Sequence, residues 1–202
     1  MNKIKKENTK DQKQFYDKYR WFFTKSGVLV YGGKSAEQNE EIVGKLIKEK
    51  KDYVVMHTKM PGSPFAVIME DPKKIDEEDL EEAAIWTACF SRAWRNEIKE
   101  TWVDVFLSKQ LYKSKGMSVG TFGIKGPIDR RRVNLKLVLS LQKNSVRAVP
   151  EISLKPKEKI YYFLVPGKVE KSELAEHLSI KLKRSKEEVL NALPKRRASV
   201  IG

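Results

Sequence analysis

Gly32-Gly33-Lys34-Ser35 stands between a strand-like run and a helix-like run. Free backbone N–H groups at a helix start, aided by the helix dipole, attract phosphate. The nucleotide-binding version of this device is G-x-x-x-x-G-K-[ST]. Here the register fails, because five positions before Gly33 lies Val28, not Gly27. The run Ala66 to Asp71 imitates the acid-tipped strand that would hold magnesium. A hairpin strand before the loop is nevertheless the wrong topology for such an ATPase. A plain capped turn and a contact to a nucleic-acid phosphate remain. The segment from His57 to Pro64 is the second candidate: a histidine at a strand end followed by Pro61-Gly62-Ser63, where folds often place functional groups. Only one other histidine exists, His177, and Cys89 is the sole cysteine, so no metal-ligand set is expected. Without a partner in view, His57 reads as a hydrogen-bonded structural residue or a ligand contact. No serine-hydrolase elbow or arranged carboxylate pair appears, and neither a catalytic residue nor a cofactor is expected.

The charge distribution adds a third signal. The 202 residues carry 41 Lys plus Arg against 27 Asp plus Glu, a formal net charge of +14. Residues 109–147 hold 10 basic side chains and 1 acidic one, including Lys109, Lys113, Lys115, Lys125 and the consecutive Arg130, Arg131 and Arg132. Solubility does not require acid to be nearly absent from such a stretch, so it reads as a patch for a polyanion. The 8 acids of residues 70–82 look instead like the favoured charge at a helix N-terminus. Trp86, Phe90 and Trp94 follow at i, i+4 and i+8. Trp86 and Phe90 read as core, and Trp94 as core or as a platform for bases. Arg92 and Arg95 could serve a phosphate or complement the helix C-terminus.

The elements that must position these groups follow from periodicity. Tyr19–Phe23 and Val28–Tyr31 form a hairpin around Lys25-Ser26-Gly27. Ser35 with Gln38 makes a capping box for a helix to about Glu49, with Ile42, Val43, Leu46 and Ile47 inward. Strands follow at Tyr53–His57 and Phe65–Met69, then a long helix from Asp76 to about Arg95. Further strands are expected at Trp102–Leu107, Thr121–Ile124 and Val133–Leu141. The result is an α+β fold, mainly an antiparallel sheet packed with two principal helices, plus a small C-terminal α/β appendage. Residues 1–18 read as a basic flexible arm, 19–150 as the main domain and 151–157 as a linker. Residues 158–202 read as a small unit with a strand at Tyr161–Val165, helices at Lys171–Leu182 and after Ser185, and a basic tail. The aromatic content excludes wholesale disorder, a single cysteine excludes a disulfide framework, and no apolar run reaches the ~20 residues of a membrane span. MNKIKKENTKDQ has no apolar stretch after its lysines and is not a secretory signal. A cytoplasmic protein with no membrane partner is expected.

Several segments line up in order with one family: Tyr19-Arg20-Trp21-Phe22, Gly32 to Glu40, His57-Thr58-Lys59 with Pro61-Gly62-Ser63, Glu82-Ala83-Ala84, Ser91-Arg92-Ala93-Trp94, and Gly120 to Gly126. This order resembles the RNA-binding (R) domain of the NFACT family, ribosome-associated quality-control factors related to fibronectin-binding-like proteins. The resemblance covers about 19–150 and implies a stand-alone R domain, without the N-terminal NFACT domain and coiled coil of the full proteins or their tail-elongation activity. Lys34-Ser35 stands where the family usually shows Arg-Asp, and Gln110 to Lys113 match loosely. The expected function is binding of structured RNA, tRNA or ribosomal RNA, with the large ribosomal subunit as partner and a place in translation or its quality control. The expected contacts are Arg20, Gly32, Gly33, Lys34, Gln38, Asn39, His57, Lys59, Gly62, Ser63, Arg92 and Arg95 together with the lysines and arginines of 109–132 named above. Recognition should follow shape more than sequence. Two rival readings stay open: an enzyme acting on nucleic acid or nucleotide through His57 and the Gly32-Gly33 loop, and a protein-binding adaptor on the ribosome.

Overall fold

The computed structural model describes residues 14–49 and 51–201. The expected hairpin is present: strands β1 (Arg20–Phe23) and β2 (Leu29–Gly32) pair antiparallel, with Trp21 opposite Tyr31 and Phe22 opposite Val30. Gly27, at φ +96°, lets the chain reverse. Helix α1 (Ala36–Lys48) opens on Ser35, whose hydroxyl accepts from the Gln38 backbone, while the Gln38 side chain accepts from the Lys34 backbone at 2.9 Å. The Ser35 half of the expected capping box is thus present, while its return bond reaches Lys34, one residue before the cap. Strands β3 (Val54–Thr58), β4 (Ala66–Ile68), β5 (Glu100–Leu107) and β8 (Asp129–Asn134) complete a six-stranded sheet in the order β1-β2-β4-β3-β5-β8, antiparallel throughout. Two short strands, β6 (Leu111–Tyr112) and β7 (Gly123–Ile124), pair separately and close the loop between them.

Period-2 alternation divides the side chains between two faces. Trp21, Tyr31, Val55, Val67 and Phe106 pack with Ile42, Val43 and Leu46 of α1. Phe22, Val30, Val54, Met56, Ile68 and Val103 pack with Ala83, Trp86 and Ala88 of helix α2 (Glu77–Cys89). Ile47, expected inward, is exposed. Two of the acids at the start of α2 do more than complement its dipole. Asp79 accepts from the Ser26 hydroxyl at 2.6 Å and Glu82 from the Lys25 backbone N–H at 3.0 Å, so α2 holds the β1–β2 turn.

Three expectations change. The long helix stops at Cys89, and a separate turn, α3 (Arg92–Arg95), begins at Ser91. The Ser91 hydroxyl donates to Ala88 and accepts from Ala93, ending one helix and capping the next, while Arg92 N–H donates to Gly62. The expected strand Val133–Leu141 divides into β8 and β9 (Leu137–Gln142), which belong to different sheets. Finally, the chain beyond 150 is not set apart. β10 (Ser145–Val149), β9, β11 (Tyr162–Glu170) and β12 (Arg197–Ile201) form one four-stranded sheet in that order, so residues on both sides of 151–157 share it. Helices α4 (Lys171–Leu182) and α5 (Lys186–Ala192) contribute Leu174, Leu178 and Val189 to the same core as α2. The physical reason is burial: β9 is buried on both faces, with Leu137 and Leu139 on one and Val138, Ser140 and Gln142 on the other, and needs cover on each. Of the expected arm, residues 1–13 lie outside the described residues. Phe15 and Tyr16 pack their rings edge-on against Tyr31 and Trp21.

Candidate functional site

A cleft of about 450 Å³ opens where four segments meet: the start of α1, the loop 61–65, α3, and the loop 119–124. Each wall is fixed by a buried or glycine-dependent contact. Asn39 donates to the Ser63 carbonyl and accepts from the Phe65 N–H, both at 3.3 Å, which ties α1 to the loop after β3. Gly33 is required beside it, since a Cβ there would lie 2.4 Å from the Asn39 side-chain oxygen. Ser63 accepts from Thr58 N–H at 2.9 Å and donates to Pro64. On the opposite wall Gly120, at φ +75°, comes against Ala36, and its N–H donates to Glu40 at 2.7 Å.

Of the residues named from sequence, Arg20, Gly33, Lys34, Asn39, His57, Gly62, Ser63, Arg92 and Arg95 line this cleft. They come from six segments of the chain. Asn39, Ser63 and Gln38 spend their polar atoms on holding backbone. Gln38 accepts from Lys34 and donates to the Lys18 carbonyl. Gly32 lies just behind, where a Cβ would press on Pro64. His57 is half-buried with its ring 4.5 Å from Phe65. Its Nδ1 is 2.8 Å from the Thr58 carbonyl, which can only accept, so the proton sits on Nδ1. Burial lowers its pKa, against the hydrogen bond to Thr58 and the pull of Asp104.

The basic segment 109–132 is placed differently. Lys113 donates to Glu40 and to the carbonyls of Ser118 and Thr121, which makes it the pin of the 113–121 loop. Lys109 pairs with Asp52 at 3.1 Å. Arg130 pairs with Asp104 at 2.7 Å, Arg131 with Glu77 at 2.5 Å, and Arg132 with Glu100. These three lie on β8, at the edge of the sheet, and none lines the cleft, although Arg130 stands in register with Asp104 and, through it, with His57. Lys125 sits over the Tyr112 ring, and Lys59 and Lys115 are exposed on loops.

The cleft cations lack such partners. Among the described residues none of Arg20, Lys34, Arg92 and Arg95 is ion-paired with a carboxylate. Sequence reasoning missed Lys195, which also lines the cleft and donates to the Lys34 carbonyl at 2.8 Å. Of the stripe, Trp94 takes the core place, one of its two expected ones, and Phe90 packs against the core as expected but also reaches the cleft. Trp94 is buried with its Nε1–H donating to Arg197 at 2.8 Å, whereas Phe90 lines the cleft beneath the Arg20 guanidinium, 4.7 Å away. The break at Ser91 rotates the stripe apart. Burial pushes Arg20 down to about 10. Burial and then Arg20 lower Lys34 and Lys195 as well. Partly desolvated cations that repel one another without acids between them form a focused positive field that attracts an anion.

The model of the NFACT protein RNA binding domain matches residues 18–126, which include every cleft-lining residue except Lys195. The chain belongs to this family. This NFACT-R chain is 35% identical over 125 residues to the archaeal Rqc2 homolog aRqcH of Methanocaldococcus jannaschii, covering 60% of the chain and 18% of that protein. It is 32% identical over 117 residues to the ribosome quality control complex subunit NEMF homolog of Drosophila melanogaster, covering 55% and 12%. The human subunit NEMF is 28% identical over 116 residues, covering 55% and 11%. The chain therefore spans less than a fifth of the length of these relatives. The C-terminal part of the fibronectin/fibrinogen-binding protein from Streptococcus suis matches at 26% identity with a TM-score of 0.49, over 61% of this chain and 46% of that one. No helix among the described residues is long and apolar enough to cross a membrane.

Proposed function

We propose that this NFACT-R chain binds structured RNA, tRNA or ribosomal RNA, in a cytoplasmic, ribosome-associated role in translation or its quality control, with the large subunit as partner. The observation that carries this reading is the set of unpaired cations around one cleft: Arg20, Lys34, Arg92, Arg95 and Lys195. Sugar–phosphate supplies acceptors to donors of this kind and carries most of the affinity of such complexes. Membership of an RNA-binding domain family and relatives named as ribosome quality control subunits support it.

Binding is proposed to proceed without chemical turnover. Among the described residues His57 makes one side-chain hydrogen bond, to a backbone carbonyl, an arrangement that orients the ring rather than activating a nucleophile. Crosslinking the protein to RNA in cells and sequencing the attached fragments tests the reading. Enrichment of tRNA or large-subunit ribosomal RNA is expected. Recovery of neither above background contradicts it.

A further inference from the structure

Lys171 is the first residue of α4, and Glu170 before it makes no side-chain cap bond. A lysine there opposes the positive end of the helix dipole. Its surroundings oppose it further. Its backbone N–H donates to the Arg196 carbonyl at 2.7 Å, which seats it beside Lys195, and burial, then Arg20, Lys195 and Lys34, push its pKa down to about 8. Among the described residues no carboxylate is ion-paired with any of these four cations, which come from four segments far apart in sequence. Two are held by carbonyls instead: Lys195 by Lys34, and Arg20 by Asn191 at 3.4 Å. Such an arrangement costs stability in the absence of an anion, and local rules are broken in this way at functional sites.

A second observation lies beside it. A cavity of about 210 Å³ adjoins the cleft across Arg20 and Lys34. On its wall the Trp21 indole, only 4% exposed, has its Nε1–H without an acceptor among the described residues, and so has the stacked Arg147 its Nε–H. Asp17 and Glu188 also line this cavity, and Glu188 accepts from the Val146 N–H. Arg20 and Lys34 line both hollows, and the two N–H donors line the smaller one. An anion with several oxygens and no proton to give satisfies such a set.

We propose that Lys171 and Lys195, both beyond the family-matched residues 18–126, join Arg20 and Lys34 in a single subsite that seats a backbone phosphate of the bound RNA. The subsite rests on the RNA-binding reading and extends it to the C-terminal sheet. In this arrangement α4 and the segment before β12 supply part of the ligand contact.

The test is fluorescence anisotropy of a labelled RNA hairpin with the full chain and with Lys171→Met, Lys195→Met, Lys171→Arg and Lys181→Met. Lys181 lies exposed at the other end of α4 and serves as the equal-charge control. Lys171→Met and Lys195→Met should each weaken binding by about tenfold and flatten the log–log salt slope by about 0.7–0.9, one phosphate's worth. Lys171→Arg and Lys181→Met should bind nearly as the parent does. Lys171→Met should also melt no lower than the parent, because it removes a repelled, partly buried charge. A lysine with a merely structural role would lose stability and affinity together. Inorganic phosphate should displace RNA from the parent better than chloride of equal ionic strength, and lose that advantage in Lys171→Met. If the parent binds RNA but Lys171→Met and Lys181→Met behave alike, the subsite is overturned while the RNA reading stands. A parent that binds no RNA overturns both.

Discussion

At the scale of single residues, ionisable groups sit in two contrasting kinds of place. Arg130, Arg131 and Arg132 are neutralised by Asp104, Glu77 and Glu100, whereas Arg20 and Lys34 are half-buried without a carboxylate and face an open cleft. Glu82 is a buried group with a different job. Its carboxylate accepts from the Lys25 N–H, and burial followed by Asp79 and Asp76 raises its pKa from 4.5 to about 7. Between these values the folded state keeps a proton that the unfolded chain has lost. The contribution to stability is therefore fully present below 4.5 and is lost as pH rises through about 7. Urea titrations of the parent should show a decline on the order of 2 kcal/mol across that window. In Glu82→Gln, which keeps an acceptor for Lys25, this component should vanish. An identical pH profile for the variant would show that Glu82 is not the titrating group.

At the scale of elements, the two sheets are stitched by a few directed bonds. The Gln142 amide, at the end of β9, accepts from the Phe23 N–H and donates to the Phe23 carbonyl, both at 2.8 Å, joining the edge of the first sheet to the second. Gln142→Ala should cost about 1–3 kcal/mol, because both backbone groups of Phe23 lose their partners. Denaturant unfolding measures this, and a loss below about 0.5 kcal/mol would mean that water replaces the amide freely. The first hairpin, α1 with its cap, β3, β4 and the start of α2 were legible in the sequence because each is marked by local periodicity or capping chemistry. The break at Ser91 was not, since a serine within a helical pattern carries no stop signal until its hydroxyl is seen bonding both ways. The division of Val133–Leu141 between two sheets depends on distant partners, among them the Lys99 carbonyl that accepts from Leu135 N–H. β10 and β12 are short and half polar, and only pairing with β9 and β11 makes them strands. The glycine-rich loops exposed the cleft for the same local reason. A charge run could not reveal that Lys113 and the β8 arginines are consumed by acids far away in sequence, or that Lys195 returns to the site.

At the scale of the whole molecule, the net charge of +14 is less informative than its pairing. At physiological salt the Debye length is about 8 Å, so distant charges are screened and contacts dominate. On the proposed reading, RNA is held by the unpaired cleft cations and not by basicity in general. Two triple reversals decide it: Arg20, Lys34 and Lys195 to Glu, against Arg130, Arg131 and Arg132 to Glu, with folding checked by circular dichroism. Each changes the formal charge by the same amount. RNA binding measured from low to high salt should be steeply salt-dependent in the parent. It should fall by roughly a hundredfold or more, with a flattened salt slope, in the cleft reversal, and by much less in the folded β8 reversal. Equal losses in two well-folded variants, or a greater loss from the β8 reversal, would contradict the account.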